Sequence, residues 1–112
     1  MEVLIPESWK KSVCNVLRTH DTKKGIILRE RARRAWQDMF PNAFLYQLFV
    51  TLEDTLSQPE VYGSEKKMDE DGIAYAFYFT FEEQKMYAKV LLHPDGKVII
   101  IYSAHRPQKE KL

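Results

Sequence analysis

The spacing of the apolar residues changes halfway along this chain. Up to residue 56 they recur at intervals of three and four; from residue 73 onward they alternate. A 3.6-residue period buries one stripe of a helix, and a two-residue period buries one face of a strand. One chain with both periods in separate halves predicts an α+β fold, with N-terminal helices packed on a three- to four-stranded antiparallel sheet.

The helical half has three segments. Residues 7–19 carry Trp9, Val13, Val16 and Leu17 on one stripe, with Cys14 beside it. Residues 31–40 place Ala32, Ala35, Trp36, Met39 and Phe40 at i, i+3, i+4, i+7 and i+8, and Pro41 ends the run. Residues 43–56 bury Leu45, Leu48, Phe49, Leu52 and Leu56. The tight break between the last two predicts a helical hairpin. Between the first two, Ile26-Ile27-Leu28 is short, apolar and β-branched, and reads as a strand.

Residues 57–72 are rich in Pro, Gly, Ser and charge and read as a long loop. Strands follow at 73–81, 85–92 and 98–104, joined by Glu82-Glu83 and by Pro94-Asp95-Gly96. The charged segment 107–112 is expected to fray. With 112 residues and 45% hydrophobic residues, the chain reads as one domain. A domain of this size buries about two thirds of its unfolded surface.

No run of 18 apolar residues predicts a membrane span, and the N-terminal residues do not read as a secretory signal. The single cysteine, Cys14, allows no internal disulfide and no cysteine-rich metal cage, and suits a reducing cytoplasm. No metal or other cofactor is expected. His93 has no Cys or His partner at ligand spacing, and His20 sits in a polar loop.

Net charge is +1, but it is unevenly distributed. Residues 1–49 carry nine Lys/Arg against five Asp/Glu, residues 50–84 two against nine, and residues 85–112 six against two. If the two basic ends meet in space, they make a basic face on a nearly neutral protein.

Alternation puts Lys85, Tyr87, Lys89 and Leu91 on one face of their strand. With a three-residue loop over 94–96, Lys89 faces Ile101, Tyr87 faces Ser103 and Lys85 faces His105. A four-residue loop shifts the pairing by one and brings in Tyr102 instead. Gly96 suits a bulge position, which favours the first arrangement. That arrangement gathers Lys85, Tyr87, Lys89, Ser103 and His105. Lysines hold phosphate, histidine moves protons near neutral pH, and tyrosine stacks on bases. Together they suit cleavage of RNA by attack of the ribose 2′-hydroxyl on the adjacent phosphate, with no metal. The same pattern also describes a solvated sheet face that keeps the protein soluble.

Residues 26–106 resemble the RelE-type toxins of bacterial toxin–antitoxin systems. The likeness runs through the strand Ile26-Ile27-Leu28, the helix RARRAWQDMF, a Pro-Asn break and VTLEDTLSQP. It continues through the strands AYAFYFTF and KMYAKVLL, a DG turn and KVIIIYSAHRP, which ends in His-Arg. Residues 1–25 would be an N-terminal extension. The resemblance implies a messenger-RNA endonuclease, ribosome-dependent or free, silenced by an antitoxin covering the active face. It implies catalytic roles for Lys85, Tyr87, His105 and Arg106, and RNA contacts from Lys89 and Tyr102. Arg31, Arg33 and Arg34 would add phosphate contacts. Arg106 alternates away from His105 and joins it only where the strand ends or bulges. The acidic stretch from Glu60 to Asp71 would repel RNA if it lay beside the site. The rival reading is a non-catalytic binding or regulatory module, such as one derived from a phage. A homodimer through an open edge of the meander is a third expectation.

Overall fold

In the computed structural model, which describes residues 1–108 and 112, the chain folds as β1 (Val3–Leu4), α1 (Glu7–Leu17), β2 (Ile26–Leu28), α2 (Glu30–Met39), α3 (Leu45–Leu56), β3 (Tyr62–Lys66), β4 (Ile73–Phe81), β5 (Gln84–Leu92) and β6 (Ile99–His105). The strands form one sheet in the order β1-β3-β4-β5-β6-β2. All neighbours are antiparallel except β2 and β6, which run parallel.

This corrects the expected three- to four-stranded antiparallel sheet: the described residues form six strands, and the sheet is mixed. Two additions lie where apolar alternation is weak. β1 is two residues long and exposed. β3 lies inside the stretch read as a loop, and its sequence, YGSEK, carries almost no apolar signal. It pairs because Gly63 lets the chain pass close: a Cβ there would lie 2.4 Å from the Ala76 carbonyl oxygen. The meander edges are therefore covered by β3 and β2, and the sheet's outer edges belong to β1 and β2.

The helical hairpin is also corrected. α3 packs on α1, and α2 packs on β6. All three helices cover the same sheet face. There Trp9, Val13, Leu17, Trp36, Leu48, Phe49 and Leu52 enclose Tyr75, Phe77, Phe79, Met86, Ala88 and Val90. Burying this much aliphatic and aromatic surface is the main stabilising contribution. Lys10 lies inside the packed layer, 2% exposed. Its Nζ donates to the Gln58 carbonyl at 2.7 Å and pairs with Glu7 at 2.9 Å, tying the end of α3 to α1. A buried ammonium is tolerable only with such partners. Trp9 Nε1 donates to the Ile73 carbonyl at 2.8 Å.

Phe81 pairs with Gln84, so Glu82 and Glu83 alone turn β4 into β5. Both have positive φ, 49° and 64°, the handedness that matches strand twist. Among the described residues, no helix is long and apolar enough to cross a membrane.

Candidate nucleic-acid cleft

The helices leave the opposite sheet face, the back face, uncovered. Alternation sends Ala74, Ala76 and Tyr78 of β4 and Tyr87, Lys89 and Leu91 of β5 to that side. What reaches it from β6 depends on a bulge. Near the turn the pairs are Leu92 with Ile99, Leu91 with Ile100 and Val90 with Ile101. His93 N–H donates to the Val98 carbonyl at 2.9 Å, so the loop has four residues, 94–97, and Gly96 takes φ 72°. The register then shifts between Lys89 and Val90, and Lys89 pairs with Ser103 and Tyr87 with His105. Tyr102 is the extra residue. It packs with Ala74, Leu91 and Ile100, on the back face.

The favoured three-residue loop is thus corrected to four, and the pairs Lys89–Ile101, Tyr87–Ser103 and Lys85–His105 do not form. Two one-residue shifts nevertheless restore the face. The longer loop moves β6 by one and the bulge moves it by one more, so Ser103 and His105 return to the side of Tyr87 and Lys89. Tyr102, which the four-residue loop would have supplied, stays there as well.

A cleft of about 550 Å³ opens on this face beside α2. β2 pairs with β6 only as far as Ile101, and beyond that point α2 takes the place of a neighbouring strand. The cleft is lined by Arg29, Arg31, Tyr87, Lys89, Tyr102, Ser103 and His105, with Met68, Gln108 and the small Ala32 and Ala35. The His105 ring lies on the Tyr87 ring, centroids 5.2 Å apart and planes 24° apart. Its Nδ1 is 2.6 Å from the Arg106 carbonyl oxygen. A carbonyl only accepts, so Nδ1 carries a proton, and in the neutral ring the lone pair is on Nε2. The Arg29 guanidinium lies 5.5 Å from the Tyr102 ring centroid and pairs with Glu70 at 3.6 Å.

Of the residues singled out from sequence, Arg31, Tyr87, Lys89, Tyr102, Ser103 and His105 come together here. Lys85 does not line the cleft; its Nζ sits 4.0 Å over the Tyr78 ring, further along the same face. The Arg106 side chain is exposed just past the end of β6 and is not among the lining residues, so only its carbonyl serves the site. Arg33 and Arg34 do not line the cleft either. Both pair with Glu30 on the exposed side of α2, and Arg33 also donates to Gln37 at 2.6 Å. Glu30 is held below the usual carboxylate range, first by the Arg33 hydrogen bond.

Sequence reasoning missed Arg29, Met68, Glu70 and Gln108. Arg29 sits between β2 and α2, and nothing in the local sequence marks it as a cleft residue. Nothing local points to Met68 or Glu70, which arrive because the β3–β4 loop folds back over the sheet. The expectation that segment 107–112 frays falls partly outside the described residues. Leu112 is buried against Ala76 and Tyr87, while residues 109–111 lie outside the described residues. Comparison with protein-family models, with curated proteins and with solved structures finds no match to this chain.

Proposed function

We propose that this cleft binds RNA and cleaves it without a metal ion. One observation carries the reading: an imidazole whose Nδ1 donates to a backbone carbonyl, a lysine, two arginines and two tyrosines line a single cleft on an otherwise nearly neutral protein. In the proposed step, His105 Nε2 takes the proton from a ribose 2′-hydroxyl. The 2′-oxygen forms a bond to the adjacent phosphorus, and the bond from phosphorus to the 5′-oxygen breaks. That oxygen leaves with a proton from the Lys89 ammonium. The products are a 2′,3′-cyclic phosphate and a 5′-hydroxyl end. Arg31 and Arg29 offset the charge that develops on the phosphoryl oxygens, and Tyr102 gives a base a ring to stack on.

The sequence resemblance adds a biological setting: a RelE-like toxin acting on messenger RNA in the cytoplasm, with a cognate antitoxin covering the cleft. Incubation of the purified protein with a single-stranded RNA and excess chelator tests the chemistry. Fragments ending in cyclic phosphate are expected. An RNA that stays intact, with His105→Ala indistinguishable from the parent, sinks it.

One contact favours a second reading. Arg29 already holds an acidic side chain, Glu70, and a cleft that accepts its own carboxylate suits an acidic protein segment. In that case the fold serves as a non-catalytic binding module, and RNA neither binds nor is cut.

A further inference from the structure

Arg18, Arg29, Arg33 and Arg34 each pair with a carboxylate, and so does the buried Lys10. Two cations of the cleft differ. Among the described residues, the side chains of Lys89 and Arg31 neither pair with a carboxylate nor make a hydrogen bond. Arg31 is exposed, but Lys89 is half-buried. A half-buried ammonium has lost part of its water and has no counter-charge, so its surroundings favour an anion.

Charge is uneven along the cleft. At one end the Arg29 guanidinium lies 5.5 Å from the Tyr102 ring centroid, and Glu70 pairs with that guanidinium. This end offers two flat groups that suit a base, and its net charge is close to zero. Lys89 comes next, facing Ser103 across the sheet, and His105 lies beyond it on the same side of β6. Tyr102 to His105 covers about 10 Å of strand. The cleft of about 550 Å³ is the size of a small-ligand pocket. A phosphate diester inside an RNA chain has a single negative charge to set against Lys89 and Arg31. A phosphate monoester carries roughly −1.5 to −2 at neutral pH, and it matches the two cations together.

We propose that the cleft binds a free nucleoside monophosphate, with its phosphate monoester on Lys89 and Arg31 and its base on Tyr102 beside Arg29. The proposal rests on the RNA reading for the base-and-phosphate character of the ligand, and it needs no catalysis. Nucleotide and RNA then compete for one site. Free nucleotide lowers the fraction of molecules open to RNA, and with it the apparent RNA affinity.

The test separates binding from cleavage by using a fluorescein-labelled 2′-O-methyl RNA, which has no free 2′-hydroxyl to attack. Its displacement is followed by anisotropy, and direct binding of each competitor by calorimetry. The competitors are adenosine 5′- and 3′-monophosphate, the methyl ester of each, adenosine and inorganic phosphate. The monophosphates should bind roughly tenfold more tightly than their methyl esters, the worth of one charge-assisted contact. Adenosine and phosphate alone should bind more weakly still. Lys89→Ala should bring each monophosphate down to the level of its ester. Tyr102→Ala should weaken the monophosphates about tenfold and leave inorganic phosphate unchanged. Thermal melts show whether each variant is folded, and Lys89→Gln replaces Lys89→Ala if that chain is not. Equal binding of monophosphate and ester, or RNA binding that no nucleotide displaces, overturns the proposal and leaves the RNA reading standing. Monophosphate binding with the expected variant effects, but with RNA neither bound nor cut, supports the nucleotide site and overturns the RNA reading. No binding of any competitor or of RNA, together with no cleavage of unmodified RNA, overturns both.

Discussion

His105 lies against Tyr87, with 5.2 Å between ring centroids and 24° between planes, because the two residues face each other directly across β5 and β6. The tyrosine fixes the plane of the imidazole, and the Arg106 carbonyl fixes its tautomer. A base held in this way loses little freedom when substrate arrives. Replacing His105 with Ala should therefore lower the RNA cleavage rate by roughly 10²- to 10⁴-fold, the usual contribution of a general base. Binding of the 2′-O-methyl RNA should change little. Rates from gel-resolved cleavage and affinities from anisotropy separate the two effects.

Cations in the cleft should differ from cations on the outer side of α2. Removing one cation from a phosphate of single-stranded nucleic acid reduces the salt slope of binding by about 0.7. Lys89→Ala and Arg31→Ala should each show such a reduction. Arg33→Ala and Arg34→Ala should leave the slope unchanged, since both side chains are engaged by Glu30 away from the cleft. A titration series in KCl measures all four.

On the RNA reading, Glu70 would compete with phosphate for Arg29. Their pairing at 3.6 Å is loose and both side chains are about half exposed, so the contact ranks with ordinary surface ion pairs. Glu70→Gln should raise RNA affinity by up to about fivefold, the equivalent of one such pair. An acidic peptide ligand would respond in the same direction, so the comparison should include a poly-glutamate competitor.

The β4–β5 turn holds two non-glycine residues at positive φ, which costs stability wherever the side chain disfavours that region. Changing Glu82 to Asn and Glu83 to Gly supplies the residues this turn prefers. The change should stabilise the protein by about 1 kcal/mol, read as a higher melting temperature with cleavage unaltered.

Burial pushes the Cys14 thiol above its ordinary value of 9.0, with the Ser57 hydrogen bond opposing the shift. The folded state thus favours the protonated thiol. The associated stability is whole below pH 9.0 and is lost as pH rises through the higher folded value. Denaturant midpoints should fall on the alkaline side, and Cys14→Ala should shallow that fall. Part of the slope should persist, because burial also raises the Tyr75 phenol. Native Cys14 should react slowly with iodoacetamide.

Local periodicity was enough to locate all three helices, the strand at Ile26–Leu28 and the three strands of the meander, since each buries a stripe or a face that its own residues define. It also sorted Lys89 and Tyr87 from Met86 and Val90. The pairing between strands was not legible. It turned on a four-residue loop and on Tyr102 bulging out of β6, and a bulge forms when packing on both faces of a sheet must be satisfied at once. The strands β1 and β3 escaped for a related reason. They owe their place to hydrogen bonds offered by a neighbour, with little apolar signal of their own. The cleft needed two further long-range events: β2 stopping at Leu28 so that α2 could flank β6, and the β3–β4 loop bringing Met68 to its lining. Residue spacing dictates which side of an element a side chain takes. Only the closed tertiary structure dictates which sides meet, because that choice is made by contacts between residues far apart in the chain.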